Sequence, residues 1–260
     1  MGATSLASAL LDPSRLAAFL LISTRLSGVL LMSAPLGSSL PLFIRLVLCL
    51  ALSACIGLSL QQDTLLAAND MGALAAAAIS EFCLGALLAL GVNTAFAAFA
   101  VGGRLLDVQI GYGIGQVLDP ITQQQVPVLT GAMNQLAMVC FFSSGVFASF
   151  LRGLQLSFER IPPGSLALHG EVLGVAMKQG AGMFSLGFAL VAPVVFCLML
   201  IEFALGVVAR NVPQMNMFAL GLPLKILVGL AALALWLGGA GHMVTRTYES
   251  IFLAWSGILQ

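Results

Sequence analysis

Apolar residues run through this chain in blocks long enough to cross a bilayer, separated by short polar breaks. A hydrocarbon core about 30 Å thick needs roughly 20 mostly apolar residues per helix, and that ruler predicts a series of helical blocks. The first covers about Leu16 to Leu36, the second Pro41 to Leu60, and the third, rich in Ala, Met71 to Val101. A fourth covers about Val128 to Phe150. A fifth runs from Val172 to Arg210, with Pro193 in its middle where a kink or break is expected. The sixth runs from Met217 to Gly239. From His242 to Gln260, Arg246, Tyr248, Glu249 and Trp255 are mixed with aliphatic residues, which predicts an amphipathic helix at an interface or against a partner. Polar breaks fall at "QQDTLLAAND", "GYGIGQVLDPITQQQVP", "ERIPPGSLALHGE" and "NVPQMN". Blocks of this length are helix signals, unlike the ten-residue alternating strands of a barrel. The predicted fold is therefore an all-α membrane protein, one domain over residues 1–260, with no sequence repeat and no soluble domain.

Composition strengthens this reading. The chain is 60% hydrophobic and 8% charged, with a mean hydropathy of +1.07, far from the roughly 25% charged residues of soluble domains. Ten Lys and Arg balance ten Asp and Glu, so no basic field points to nucleic acid and no acidic tail to a cationic partner. No Lys or Arg precedes Arg15, so the charged region of a removable signal peptide is missing and the N-terminus is expected to be retained. Cys49, Cys55, Cys83, Cys140 and Cys197 all lie in apolar segments without a C-x-x-C pair, as expected of small buried hydrophobes.

Six ionisable residues interrupt the apolar blocks: Arg25, Arg45, Glu81, Lys178, Glu202 and Lys225. Left in hydrocarbon they would cost about 15 to 20 kcal/mol together on the insertion scale, more than the net stability of a typical domain. Each must snorkel, pair, or face protein or water. If "NVPQMN" is a hairpin turn, Glu202 and Lys225 lie about 12 Å from it on either side, and a Glu202–Lys225 pair bracing the hairpin is expected, with contact to a neighbouring subunit as the alternative. Arg45, four residues beyond Pro41, is placed to snorkel. Arg25 and Glu81 lie deeper, which suits buried pairing or a water-lined path.

Catalytic chemistry finds little support. His169 and His242 are isolated, and neither H-E-x-x-H, G-x-S-x-G nor a P-loop pattern occurs. No enzyme activity, metal or cofactor is expected. The informative stretch is "GYGIGQVLDPITQQQVP", from Gly111 to Pro127. Gly111 and Gly115 could form a G-x-x-x-G packing face, but Gly111, Gly113 and Gly115 would each cost a helix about 1 kcal/mol relative to Ala, and Asp119-Pro120 ends the segment. Non-helical backbone at membrane depth is tolerated where it is buried in protein or lines a water-filled cavity. An irregular loop in a pore or at its mouth is therefore predicted.

Three blocks, in order, resemble the FliR/SctT family of type III secretion export-gate proteins: "GGRLLDVQIGYGIGQVLDPITQQQVPVL" from Gly102 to Leu129, "SFERIPPG" from Ser157 to Gly164, and "LGVVARNVPQMNMFALGLPLKILVG" from Leu205 to Gly229. Length, hydropathy and block order fit along essentially the whole chain. The Asp-Pro-x-Thr-x-x-Gln-Val-Pro pattern looks more flagellar than injectisome. A departure falls at "FFSSGVFAS", where many flagellar members carry a Gly-His after the aromatic pair and this chain has Gly145-Val146.

The resemblance implies a noncatalytic export-gate subunit, multi-pass in the bacterial inner membrane at the flagellar basal body, through which unfolded flagellar substrates leave the cytoplasm. It implies FliP-like and FliQ-like subunits as partners in a hetero-oligomeric gate, FlhB and FlhA working alongside, a fold like a FliP-like part joined to a FliQ-like part, and apolar helices that meet sister subunits as well as membrane lipid. It further implies that a central loop at about 102–127 plugs the channel, with Gly111, Gly113 and Gly115 as deformable backbone. Tyr112 and Ile114 would fill the lumen, and Asp119 and Pro120 would fix the loop's exit. The rival is a secondary transporter or ion channel using Glu81, Lys178 or Glu202 as coupling groups. Such a transporter would be expected to carry internal symmetry, which is not visible in this chain.

Overall fold

The computed structural model of the chain describes residues 13–37, 40–60, 71–112, 127–165, 171–212, 214 and 216–259. Among them every regular element is a helix: α1 (Pro13–Met32), α2 (Ala34–Gly37), α3 (Leu42–Leu60), α4 (Met71–Ile110), α5 (Val128–Ser143), α6 (Val146–Arg160), α7 (Glu171–Asn211), α8 (Met217–Leu237) and α9 (Gly241–Ile258). Four are long and apolar enough to cross a membrane, α1, α4, α7 and α8, or five crossings result when α5 and α6 are taken as one broken span.

The first expected block is broken at Ser33, between α1 and α2, and the third, fourth and fifth differ more. Helix α4 continues to Ile110, nine residues beyond Val101, so the first part of the segment expected as loop from residue 102 is helical. Gly102 and Gly103 are there for close packing: a Cβ on Gly103 would lie 2.6 Å from the Cα of Thr130. The fourth block is interrupted at Ser144–Gly145, where Gly145 takes φ +75° and starts α6; that left-handed conformation suits Gly and stops a continuous helix. The fifth block shows no break, since α7 runs through Pro193. Proline removes one backbone bond of the ladder, and the flanking turns are held by the buried Leu190, Val191, Val194 and Leu198.

Helix α4 has 40 residues, about 60 Å at 1.5 Å per residue. Even tilted by about 40° it would cover about 46 Å along the bilayer normal, against a core of about 30 Å. Part of this apolar helix must therefore be covered by protein or leave the hydrocarbon.

The chain forms two compact units, the first from Met1–Thr94, Gly145–Gln179 and Ser250–Gln260, the second from Ala95–Ser144 and Gly180–Glu249. In the first, α1 buries Leu21, Ile22, Leu26 and Val29, the front of α4 buries Leu84 and Leu88, and α6 buries Phe150, Leu154 and Phe158. Gly28 of α1 and Gly85 of α4 meet backbone to backbone: a Cβ on Gly28 would stand 2.7 Å from the carbonyl oxygen of Phe82, and one on Gly85 would collide with that of Arg25. Small residues at such a crossing let two helices approach closely. The Trp255 indole at the end of α9 donates to the carbonyl of Leu88 at 2.9 Å.

In the second unit an aromatic cluster forms the centre. Tyr248 lies 5.6 to 6.0 Å, centroid to centroid, from Phe96, Phe99 and Phe141, and its hydroxyl donates to the carbonyl of Ala137 at 2.5 Å. Burial pushes the Tyr248 phenol above its ordinary pKa, so it remains a donor. The apolar face of the expected amphipathic tail is thus used within the chain, by Tyr248 in this unit and by Ile251 and Trp255 in the first.

Candidate functional site

Three sets of charged side chains stand out, and they differ in how completely the chain satisfies them. The first joins the two deep charges for which the sequence names no partner. Arg25 Nε donates to Glu81 Oε2 at 2.5 Å, with both side chains fully buried. The other guanidinium nitrogens donate to the carbonyls of Ser157 and Ile161, each at 2.9 Å. The plane lies 4.3 Å from the centroid of the Phe158 ring, and Glu81 Oε1 accepts from the amide of Gly164 at 2.9 Å.

Those carbonyls belong to the last turn of α6 and the residue just past it, and Gly164 is the left-handed residue (φ +85°) that turns the chain after Pro162-Pro163. One cation therefore caps the C-terminus of α6, where the helix leaves carbonyls unpaired and favours positive charge, while its carboxylate partner pins the turn. The pair holds the "SFERIPPG" block in place. Removing one partner from a buried pair of this kind costs about 3 to 5 kcal/mol, because the other charge is left uncompensated.

The second set lies at the base of the central segment. Gly103, Leu106, Asp107 and Ile110 recur on one face of α4, and Leu106, Asp107 and Ile110 are buried. Asp107 Oδ1 accepts from the amide of Leu129, and Oδ2 accepts from the amide and the hydroxyl of Thr130, at 2.9, 2.9 and 2.7 Å. Residue 127, at the N-cap of α5, is a proline and supplies no side-chain cap. The second and third amides of a helix are the donors a capping oxygen usually serves, and here a carboxylate from another helix serves both. Charge-assisted bonds of this kind contribute about 1.5 to 3 kcal/mol each, and the helix dipole adds to them. On the side of α4, Gly111 takes φ +96°, and its amide donates to the backbone carbonyl of Asp107 at 3.2 Å. This is the left-handed stop that ends many helices.

Of the residues expected in the plug, Gly111 is thus the end of α4 and Tyr112 follows it, half-buried, in a turn. Gly113, Ile114, Gly115, Asp119 and Pro120 lie outside the described residues. Asp107 was not singled out from the sequence. Its signal was a carboxylate inside a buried stripe that continues the period of the preceding helix, hidden because the stretch from Gly102 was expected to be loop.

The third set is at the α7–α8 hairpin, where the structure brings Glu202 and Lys225 together: Lys225 Nζ donates to Glu202 Oε1. Their side chains remain 40% and 25% exposed. Around them α7 and α8 present a broad apolar surface, with Phe203 75% and Leu235 82% exposed. A surface of this extent on a soluble monomer would mark an interaction site.

These features define a class: an all-α, multi-pass membrane protein whose buried charges fasten helix ends and whose helices α7 and α8 carry exposed apolar side chains. The family described as Bacterial export proteins, family 1, matches residues 16–251, and the chain belongs to it. Curated relatives carry names that agree. The chain is 34% identical over 159 residues to the flagellar biosynthetic protein FliR of Bacillus subtilis, covering 60% of this chain and 61% of that protein. It is 28% identical over 221 residues to the FliR protein of Aquifex aeolicus, covering 85% of each. It is also 27% identical over 158 residues to the Yop proteins translocation protein T of Yersinia pestis, covering 60% of each. The family is thus FliR/SctT, with flagellar relatives favoured.

Proposed function

We propose that this chain is a noncatalytic subunit of the flagellar type III protein export gate in the bacterial inner membrane, part of the flagellar basal body. In this reading it forms the channel with FliP-like and FliQ-like subunits, works with FlhA and FlhB, passes unfolded flagellar substrates, and seals the channel at rest with the segment that begins at Gly111. The observation that carries the reading is the family match over residues 16–251, which includes the central segment and both of its stems. Two physical features support it. The outer faces of α7 and α8 are too apolar to stand in water, as expected of helices that meet sister subunits or lipid. The two described stems of the central segment, the end of α4 and the start of α5, are joined through the Asp107 carboxylate on α4, a fixed mount for a segment that must seal. A channel that passes unfolded protein yet retains an ion gradient needs such a seal, and Gly offers the backbone freedom to reshape it.

Two measurements test the reading. Mass measurement of the intact complex after co-purification is expected to find this chain with FliP-like and FliQ-like subunits; a stable, solute-binding chain purified alone would favour the transporter. Because Gly111 ends α4, the informative deletion begins beyond it: removing Gly113, Ile114 and Gly115 is expected to let the assembled complex leak ions. A tight, fully assembled complex would remove the plug from the reading.

A further inference from the structure

We infer that Asp107 is the positioning residue for the two stems of the central segment: one buried carboxylate on α4 ties the end of that helix to the start of α5 and sets their register. This deepens the reading of that chain as a channel plug and rests on it.

Both stems converge on this residue. The backbone carbonyl of Asp107 receives the amide of Gly111, where the chain leaves α4, and its side chain receives two amides and a hydroxyl from Leu129 and Thr130, where the chain enters α5. Within the same unit, a Cβ on Gly103 would lie 2.6 Å from the Cα of Thr130, and one on Gly229 would lie 2.7 Å from the side chain of Ile110. The end of α4 is therefore wedged between α5 and α8. Close packing sets the distance between the stems, but it does not stop one helix from sliding along or turning about the other. The carboxylate does, because its two oxygens are satisfied only when the first turn of α5 presents both amides to it.

A helix cap could have been supplied locally. Asp or Ser at position 127 would serve the same two amides, yet the chain places Pro there, with no N–H and no side-chain oxygen, and brings the acceptor from α4 instead. Capping is thereby coupled to tethering: α5 has its first amides satisfied only while it is docked on α4. The start of α5 therefore keeps its register on α4 for as long as the carboxylate holds both amides.

The coupling can be dissected, because a cap and a tether respond differently to the same pair of changes. Asp107→Asn keeps the shape but turns an N–H₂ group toward the donors of α5. Adding Pro127→Asp then supplies a local cap without restoring the tie to α4. In the assembled complex, reconstituted in vesicles loaded with pyranine under a proton gradient, Asp107→Asn is expected to raise proton entry about tenfold or more. Hydrogen exchange over residues 127–131 should accelerate by a similar factor, as expected for losing a charge-assisted bond. The double variant is expected to recover slow exchange and still leak. If it reseals, Asp107 is only a helix cap and the inference is overturned. If Asp107→Asn stays tight while the Gly113–Gly115 deletion leaks, the inference fails and the plug reading stands. If neither leaks, the plug reading fails and carries the inference with it. Should Asp107→Asn not assemble, Thr130→Val removes one bond of the three: a smaller leak supports the tether, and an unchanged seal overturns it.

Discussion

The first unit and the second each contain an ion pair between apolar helices, and the two pairs are built to opposite specifications. Arg25 and Glu81 are fully buried, and the chain itself supplies every further bond: two carbonyls, one amide and an aromatic face. Glu202 and Lys225 have each other and remain half open, on a hairpin whose neighbouring side chains point away from the chain. In a low-dielectric interior a charge with unsatisfied hydrogen-bonding capacity is costly. A complete shell around the first pair therefore marks an internal fastening, finished when the chain folds. An incomplete shell around the second is consistent with surroundings that the rest of an assembly supplies.

The largest effect is expected where the shell is complete. Arg25→Met or Glu81→Gln alone should lower the stability of the purified complex by about 3 to 5 kcal/mol, read as a large fall in thermal midpoint and loss of the chain from the membrane. The double change to Met and Leu should recover much of that, since two apolar side chains leave no orphaned charge. If the double variant is as poor as the singles, the pair is needed for its bonds to α6 and Gly164 and not merely as a matched pair of charges. The backbone crossing beneath it offers a second handle. Gly85→Ala places a methyl against the carbonyl of Arg25, so α1 must shift, at a cost of about 1 to 3 kcal/mol. Trypsin or thermal challenge should show this loss, and a neutral outcome would mean that α1 moves without unseating its guanidinium.

Tyr248 separates burial from charge. It is as buried as Arg25 but neutral, and Phe at this position keeps the ring contacts with Phe96, Phe99 and Phe141 while losing the bond to Ala137. Tyr248→Phe is expected to cost about 1 kcal/mol, seen as a small drop in melting temperature. A loss as large as that of Glu81→Gln would mean that buried polar bonds of any kind, and not charge, dominate here.

How much of this could be read in advance depended on whether the needed geometry was local. Hydrophobic block length located the apolar helices, because a bilayer-sized run is visible without tertiary information. Hairpin register set Glu202 and Lys225 at similar depth, because a short turn fixes the distance of both from one point. Arg25 and Glu81 could be recognised as charges in need of partners, but 56 positions and two further helices separate them, and no local rule aligns α1 with α4. Asp107 was illegible for a different reason. The resemblance put the start of the loop at about residue 102, whereas Gly102 and Gly103 serve the packing of α4 on neighbouring helices, and the buried stripe runs on through them to Ile110.

The smallest intrinsic effect belongs to the open pair, and it tests the contrast most directly. An ion pair of this exposure contributes about 1 kcal/mol or less in water, so Glu202→Gln should scarcely alter the stability of the chain purified alone. Within an assembly the same position can matter far more, because covering an incomplete shell desolvates whatever charge is left behind. Reversals distinguish the cases. If the pair mainly braces the hairpin, Glu202→Lys and Lys225→Glu should each impair motility, and the double swap should restore it, since a salt bridge reversed in place serves α7 and α8 equally well. If neighbouring subunits read the charges, the double swap should be no better than the singles, and intact mass should show the complex lacking a partner while the isolated chain keeps its melting temperature. The first outcome would make the open pair a weaker version of the buried one; the second would leave the two as different devices, one closing the fold and the other waiting for its surroundings.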